Sequence, residues 1–190
     1  MRTSLSIALT FALLGACGSS TSSTSSSEGT TASTASTAPA GMPTVGSEAP
    51  AIMLQDQSGR VRTLAEYRGH PVVVYFYPRD ATPGCTHEAC AFRDAWDRLQ
   101  ATGTVVLGIS ADDVPSHLSF HDDQHLPFDL LADPENTAAT AYGVPVHVGI
   151  ESRVSFLVDA NGHIANVWPD VDPGVHCDEV LAAIAALPAS

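Results

Sequence analysis

The sequence predicts a layered α/β fold, a central mixed sheet flanked by helices, and three observations carry that expectation. Strand-like and helix-like segments alternate along most of the chain, which sets helices against a sheet. Residues 72–77 (Val-Val-Val-Tyr-Phe-Tyr) and 104–110 (Thr-Val-Val-Leu-Gly-Ile-Ser) are short apolar runs rich in β-branched and aromatic side chains, as buried strands are. The segments 154–159 and 163–168 flank Ala160-Asn161-Gly162, whose Asn-Gly pair favours a tight hairpin turn.

The remaining elements follow in order. Residues 51–56 and 60–64 form an N-terminal hairpin around Gln57-Ser58-Gly59, and Gly69-His70-Pro71 punctuates entry into the run 72–77. Ala89, Phe92, Trp96 and Leu99 recur at spacings of three and four, so 89–100 reads as a helix with one buried face. Residues 115–125 read as a second helix begun by Asp113 or Val114, with proline in its first turn. A short strand is expected at 128–131, then a helix opened by Asp133-Pro134-Glu135 and ended by Tyr142-Gly143, where glycine suits a C-terminal cap. Residues 177–187 close the domain as a helix, with Asp178 and Glu179 favourably placed near its positive end. No internal repeat is visible.

The 190 residues exceed what one ordinary domain needs, and 44% hydrophobic content supports a sizeable core. The net charge of −13 sets 21 acids against 8 bases, all of them arginine. Such a surface excludes nucleic acid as a partner, since clustered positive charge supplies most of that affinity, and it repels anionic lipid headgroups. Residues 1–16 carry Arg2 and then a ten-residue apolar run, too short to span a bilayer but sized for the core of a secretory signal. The run ends Leu14-Gly-Ala-Cys17, which resembles the bacterial lipobox. That resemblance implies a lipidated Cys17 as the mature N-terminus. Gly18 and Ser19 follow without aspartate, similar to the pattern for delivery to an outer membrane, where the domain would face the periplasm. An ordinary cleaved signal with an incidental cysteine is the alternative. After Cys17 the chain up to residue 41 is almost wholly Ser, Thr, Ala and Gly and reads as a disordered tether spanning about 25–30 Å. The folded domain is expected over 42–190, with the membrane reached only through the lipid.

The chemistry centres on residues 78–90, Pro-Arg-Asp-Ala-Thr-Pro-Gly-Cys-Thr-His-Glu-Ala-Cys. Cys85 falls where a buried strand hands over to the first turn of a helix. Free backbone amides and the positive helix end gather there and favour an anion. The thiolate is the reactive form of cysteine, so this is a seat for a nucleophile.

The order Pro78-x-x-x-Thr82-x-x-Cys85 resembles the peroxiredoxin active-site motif. Cys85-Thr-His-Glu-Ala-Cys90 resembles the bacterioferritin comigratory protein, or peroxiredoxin Q, subgroup. The likeness runs from about residue 45 to 187 and takes in Gly108-Ile-Ser, Leu131-Ala-Asp-Pro and Arg153-Val-Ser-Phe-Leu-Val-Asp159. It implies a thioredoxin-like fold and a thiol peroxidase acting on hydrogen peroxide and organic hydroperoxides, with no metal or flavin and a thioredoxin-like reductant. It further implies that Cys85 is peroxidatic and Cys90 resolving, that Thr82 and Arg153 activate the site and Pro78 shields it, and that the protein is a monomer. Physical reasoning agrees in kind: peroxide cleavage needs a thiolate, and fixed donors in a dry pocket for the charge that builds on the departing oxygen. Thr82 lies on the same turn as Cys85, so its hydroxyl can donate to the sulfur or orient the peroxide; Arg153 can reach it if the two strands are neighbours. Five residues apart on an intact helix, Cys85 and Cys90 have Cα atoms roughly 8–9 Å apart, beyond the limit of about 7 Å for a disulfide, so the turn between them must unwind.

Other residues are open. Glu88 either tunes the arginine network or simply sits in the helix's first turn. Cys177 reads as a structural thiol, with a spare resolving role as the alternative. His117, His121 and His125 are spaced for one helix face and are expected as a solvated stripe opposite a core side marked by Phe120 and Leu118, with zinc or copper binding the lesser alternative. A disulfide reductase would want Cys-x-x-Cys, and a copper-delivery protein would use both cysteines with His147; four residues separate Cys85 from Cys90, which suits neither.

Overall fold

A computed structural model describes residues 41–188, so the signal, Cys17 and most of the tether lie outside the described residues. The chain opens with the hairpin β1 (Met53–Asp56) and β2 (Val61–Thr63), then one turn of 3₁₀ helix, Leu64–Tyr67. β3 (Val72–Phe76), α1 (Pro83–Asp94), α2 (Trp96–Ala101), β4 (Val105–Ser110), α3 (Val114–Gln124), β5 (Asp129–Ala132) and α4 (Thr137–Ala141) follow. Next come β6 (Val146–His147), β7 (Ile150–Glu151), β8 (Val154–Val158), β9 (Ile164–Trp168) and α5 (His176–Ala185).

Seven strands form one sheet in the order β2-β1-β5-β4-β3-β8-β9. β3, β4 and β5 run parallel, while β8 lies antiparallel against β3, so the sheet is mixed as expected. All five residues of β3 are buried, and the pleat deals them alternately to two cores. Val72, Val74 and Phe76 join Leu107, Leu131, Phe156 and the α4 residues Ala138 and Ala139 on one face. Val73 and Tyr75 join Ala89, Phe92, Leu130, Phe120 and Val180 on the other, under α1, α3 and α5. Gly108 on β4 is obligatory, because the Tyr75 hydroxyl would lie 2.7 Å from any Cβ there.

Several boundaries differ from the sequence reading, each for a local reason. The helix expected over 89–100 is two pieces that part at Ala95 (ψ 6°), yet Phe92 and Leu99 stay buried because the apolar spacing continues across the break. The helix expected from Asp133 starts at Thr137. Asp133 is its cap from upstream, accepting hydrogen bonds from Thr137 N, Thr137 Oγ1 and Ala139 N. α3 starts as expected, with Asp113 accepting from Ser116 N at 2.9 Å, a cap worth about 1 kcal/mol. The β6–β7 hairpin was not legible, since two-residue strands carry no periodicity; Val148 (φ 54°) and Gly149 (φ 74°) turn it.

The histidine stripe is a correction. His117 is wholly buried and bonds Asp80 Oδ2 through Nδ1 at 2.8 Å, while His125 has left the helix as its left-handed cap and Leu118 is exposed. Phe120 does mark the core side, but the turn of α3 carries His117 inward with it, and a buried carboxylate on the active-site loop takes up its Nδ1, while Nε2 has no hydrogen-bond partner among the described residues.

Candidate active site

β3 delivers the chain to the loop 78–82, and Thr82 begins α1 as its N-cap in extended backbone, with Pro83 as the first helical residue. Proline suits that place because its missing N–H has no intrahelical partner to lose. Cys85 therefore stands in the first turn of α1, buried at 2% exposure, where the positive end of the helix lies beneath its sulfur. The expectation about the strands is met. Val154 on β8 pairs with Phe76 on β3, so Arg153 stands one step beyond, beside the exit of β3 toward Cys85. Its Nη2 donates to Cys85 Sγ at 3.3 Å. Gly84 leaves the guanidinium room, since a Cβ there would lie 3.3 Å from Nη2.

The guanidinium is held from behind. Arg153 Nη1 donates to Glu88 Oε2, and the buried Glu88 accepts from His176 Nδ1 on its other oxygen at 2.8 Å. Burial alone would lower the pKa of Arg153, but the Glu88 carboxylate and the Cys85 sulfur raise it above its ordinary value. The two roles weighed for Glu88 resolve in favour of the arginine network. His176 is the residue touching this network that sequence reasoning passed over, and a lone histidine far along the chain offers no local signal.

The loop before Cys85 has its own fastening. Asp80 accepts from Tyr77 Oη at 2.7 Å, from Ser116 Oγ at 2.7 Å and from His117 Nδ1, while Asp112 Oδ2 accepts from Asp80 N at 2.8 Å. Desolvation would raise the pKa of Asp80, but its bonds to His117, Tyr77 and Ser116 lower it below the ordinary value. Pro78 is half-buried at the strand exit. The Thr82 hydroxyl donates to the Arg79 carbonyl at 3.1 Å, so the structure brings Arg153 to the sulfur while the Thr82 hydroxyl is spent on the backbone of its own loop.

Cys90 is half-buried on the same unbroken helix, and its thiol donates to Gln124 Oε1 of α3 at 3.6 Å. Cys85, Cys90 and Cys177 are all free thiols. Cys177 is buried, donates to the Ala91 carbonyl at 3.4 Å and is pushed up to about 11 by burial, which suits a structural thiol. Among the described residues no three His, Cys, Asp or Glu side chains converge as metal ligands. His147 is exposed on the β6–β7 hairpin, and Arg153 occupies the ground beside Cys85, so the two-cysteine copper arrangement is not built here.

A buried thiol at a helix N-terminus on such a sheet, touched by an arginine from a neighbouring strand, defines a class. Residues 45–167 match the AhpC/TSA family, and the chain belongs to it. Within that family it is similar to a putative peroxiredoxin bcp of Coxiella burnetii, 45% identical over 148 residues, 74% of this chain and 97% of that protein. It is also similar to a chloroplastic peroxiredoxin Q of Oryza sativa subsp. japonica, 41% identical over 77% of this chain and 69% of that protein. The crystal structure of peroxidoxin BcpB from Mycobacterium tuberculosis matches with a TM-score of 0.73 and 31% identity, covering 77% of this chain and 99% of that one. The bacterioferritin comigratory protein of Xanthomonas campestris, studied for alkyl peroxide reduction, matches with a TM-score of 0.68 and 33% identity over 71% of this chain and 90% of that one. The fold is thioredoxin-like, and the protein is a thiol-dependent peroxidase.

Proposed function

We propose that Cys85 is the peroxidatic residue and Cys90 the resolving one, in a peroxidase acting on hydrogen peroxide and organic hydroperoxides. The observation that carries this reading is the 3.3 Å contact of Arg153 Nη2 with a buried Cys85 Sγ at the start of α1. The thiolate attacks one peroxide oxygen, the O–O bond breaks, and the departing oxygen leaves as alkoxide or hydroxide and takes up a proton. The Arg153 guanidinium faces both the sulfur and the charge that builds during this step. Thr82, turned from Arg79 toward the pocket, supplies a hydroxyl to orient the peroxide, and Pro78 shields it.

Cys85 is then a sulfenic acid, which the Cys90 thiol condenses to a disulfide with release of water. Both cysteines lie on an intact α1, which sets their Cα atoms about 8–9 Å apart. The turn between them opens before the bond forms, because a disulfide bridges at most about 7 Å. A thioredoxin-like dithiol reduces the disulfide and is itself oxidised. The chain acts as a monomer, and Cys17, under its lipobox-like signal, anchors the domain to a bacterial membrane, with the outer membrane facing the periplasm as the proposed address.

The test is mass spectrometry of the full-length protein after one equivalent of peroxide. Loss of two hydrogens with a Cys85–Cys90 bond is expected, along with a trapped sulfenic acid in Cys90→Ser and no reaction in Cys85→Ser. A bond to Cys177, or peroxide left unconsumed, overturns the reading.

A further inference from the structure

His176 is buried without any exposed surface, and its ring stands edge-on to Phe92 and Trp168 at 5.3 and 5.5 Å between centroids. Its one polar contact is Glu88, at 2.8 Å from Nδ1; Nε2 is buried with no hydrogen-bond partner among the described residues. A carboxylate only accepts, so Nδ1 carries the hydrogen. An imidazole kept in an apolar niche with half its hydrogen-bonding capacity unused is expensive unless its single bond matters. That bond ends on the carboxylate that grips Arg153, which in turn touches the reactive sulfur. The chain of contacts is thus His176 to Glu88 to Arg153 to Cys85, joining the first residue of α5 to the first turns of α1. Glu88 also lies between Cys85 and Cys90, inside the turn that the peroxidase cycle has to open.

Resting on that peroxidase reading, we propose that His176 is a positioning residue with opposite effects on the two chemical steps. By fixing one oxygen of Glu88 it leaves the other for Arg153 and keeps the guanidinium on Cys85, which speeds attack on peroxide. By the same bond it ties the Cys85–Cys90 turn to α5, which slows the opening that lets Cys90 reach the sulfenic acid. Once the sulfur is oxidised and uncharged, Arg153 keeps only its hold on Glu88, and that pair together with the His176–Glu88 bond is what still closes the turn.

Stopped-flow fluorescence of the reduced protein with peroxide separates oxidation from disulfide formation. In His176→Leu, oxidation should slow about tenfold or more, the scale of one lost hydrogen bond to a charged group, while disulfide formation should quicken. His176→Asn, whose side-chain amide can place an N–H where Nδ1 lies, should restore both rates toward the parent. His176→Gln, which places its N–H nearer Nε2, should not, and this Asn and Gln pair decides the matter even if the leucine variant fails to fold. Unchanged rates in His176→Leu, both steps slowed in parallel, or equal behaviour of Asn and Gln would overturn the proposal. A parent protein inert toward peroxide would overturn instead the reading on which it rests.

Discussion

Replacing Arg153 by methionine removes the guanidinium from Cys85 while keeping most of the side chain's length. At 3.3 Å, two unit charges attract by about 5 kcal/mol at an effective dielectric of about 20, and by about 1 kcal/mol in bulk water. The Arg153 side chain is 16% exposed, so the site lies between these limits and a loss of about 3 kcal/mol is a fair value. At about 1.4 kcal/mol per factor of ten, the second-order rate with peroxide should fall roughly 100-fold. Stability should fall too, because Glu88 is left as a buried carboxylate with His176 as its remaining partner, and breaking such a pair costs about 3–5 kcal/mol. The double variant Arg153→Met with Glu88→Gln separates the two effects, recovering stability but not rate. Arg153→Lys should recover little, since one ammonium cannot match a fork that serves both Glu88 and Cys85. Stopped-flow oxidation with urea melts of the same variants checks all of this. A rate for Arg153→Met within threefold of the parent would refute the electrostatic reasoning.

Thr82→Val should slow oxidation by about tenfold or more while Thr82→Ser stays close to the parent, because the hydroxyl and not the methyl is used; equal rates in both would leave Thr82 as a turn residue. Glu151 makes a separate prediction about pH. Both of its carboxylate oxygens are buried without a hydrogen-bond partner among the described residues, and burial, then the neighbouring Asp133 and Asp112, pushes its pKa up from 4.5 to about 8. The fold therefore favours the neutral acid: this contribution is full below about pH 4.5, shrinks as the pH climbs, and is gone above about pH 8. A gap of that size corresponds to at most about 5 kcal/mol, less whatever the short β6–β7 hairpin relieves by opening. Urea denaturation at pH 5 and pH 8.5 should show the parent losing this stability and Glu151→Gln keeping it.

Much of the site was legible because the chemistry is contiguous. Thr82, Cys85, Glu88 and Cys90 lie on one strand-to-helix passage, and the helix period sets the reach of each relative to the others. Distances along a single helix need no tertiary information, which is why the separation of the two thiols could be stated beforehand. The hairpin turns and the helix caps at Asp113 and Asp133 are likewise local devices, though Asp133 acts from further upstream than its position suggested. His117 shows where local reasoning failed. Spacing alone placed it on a solvated face, but Asp80 on a distant loop binds its Nδ1 where it is buried.

By itself, the order of residues determined that a thiol would sit at the positive end of a helix on an α/β sheet, because strand, loop and first turn are neighbours in the chain. Only the tertiary structure decided what surrounds that thiol. Arg153 and His176 are separated from Cys85 by 68 and from Glu88 by 88 residues respectively, and they arrive through the pairing of β8 with β3 and the packing of α5 on α1. Charges and hydrogen bonds act through a few ångströms of space, and nothing in the sequence near Cys85 says which distant side chains will come that close.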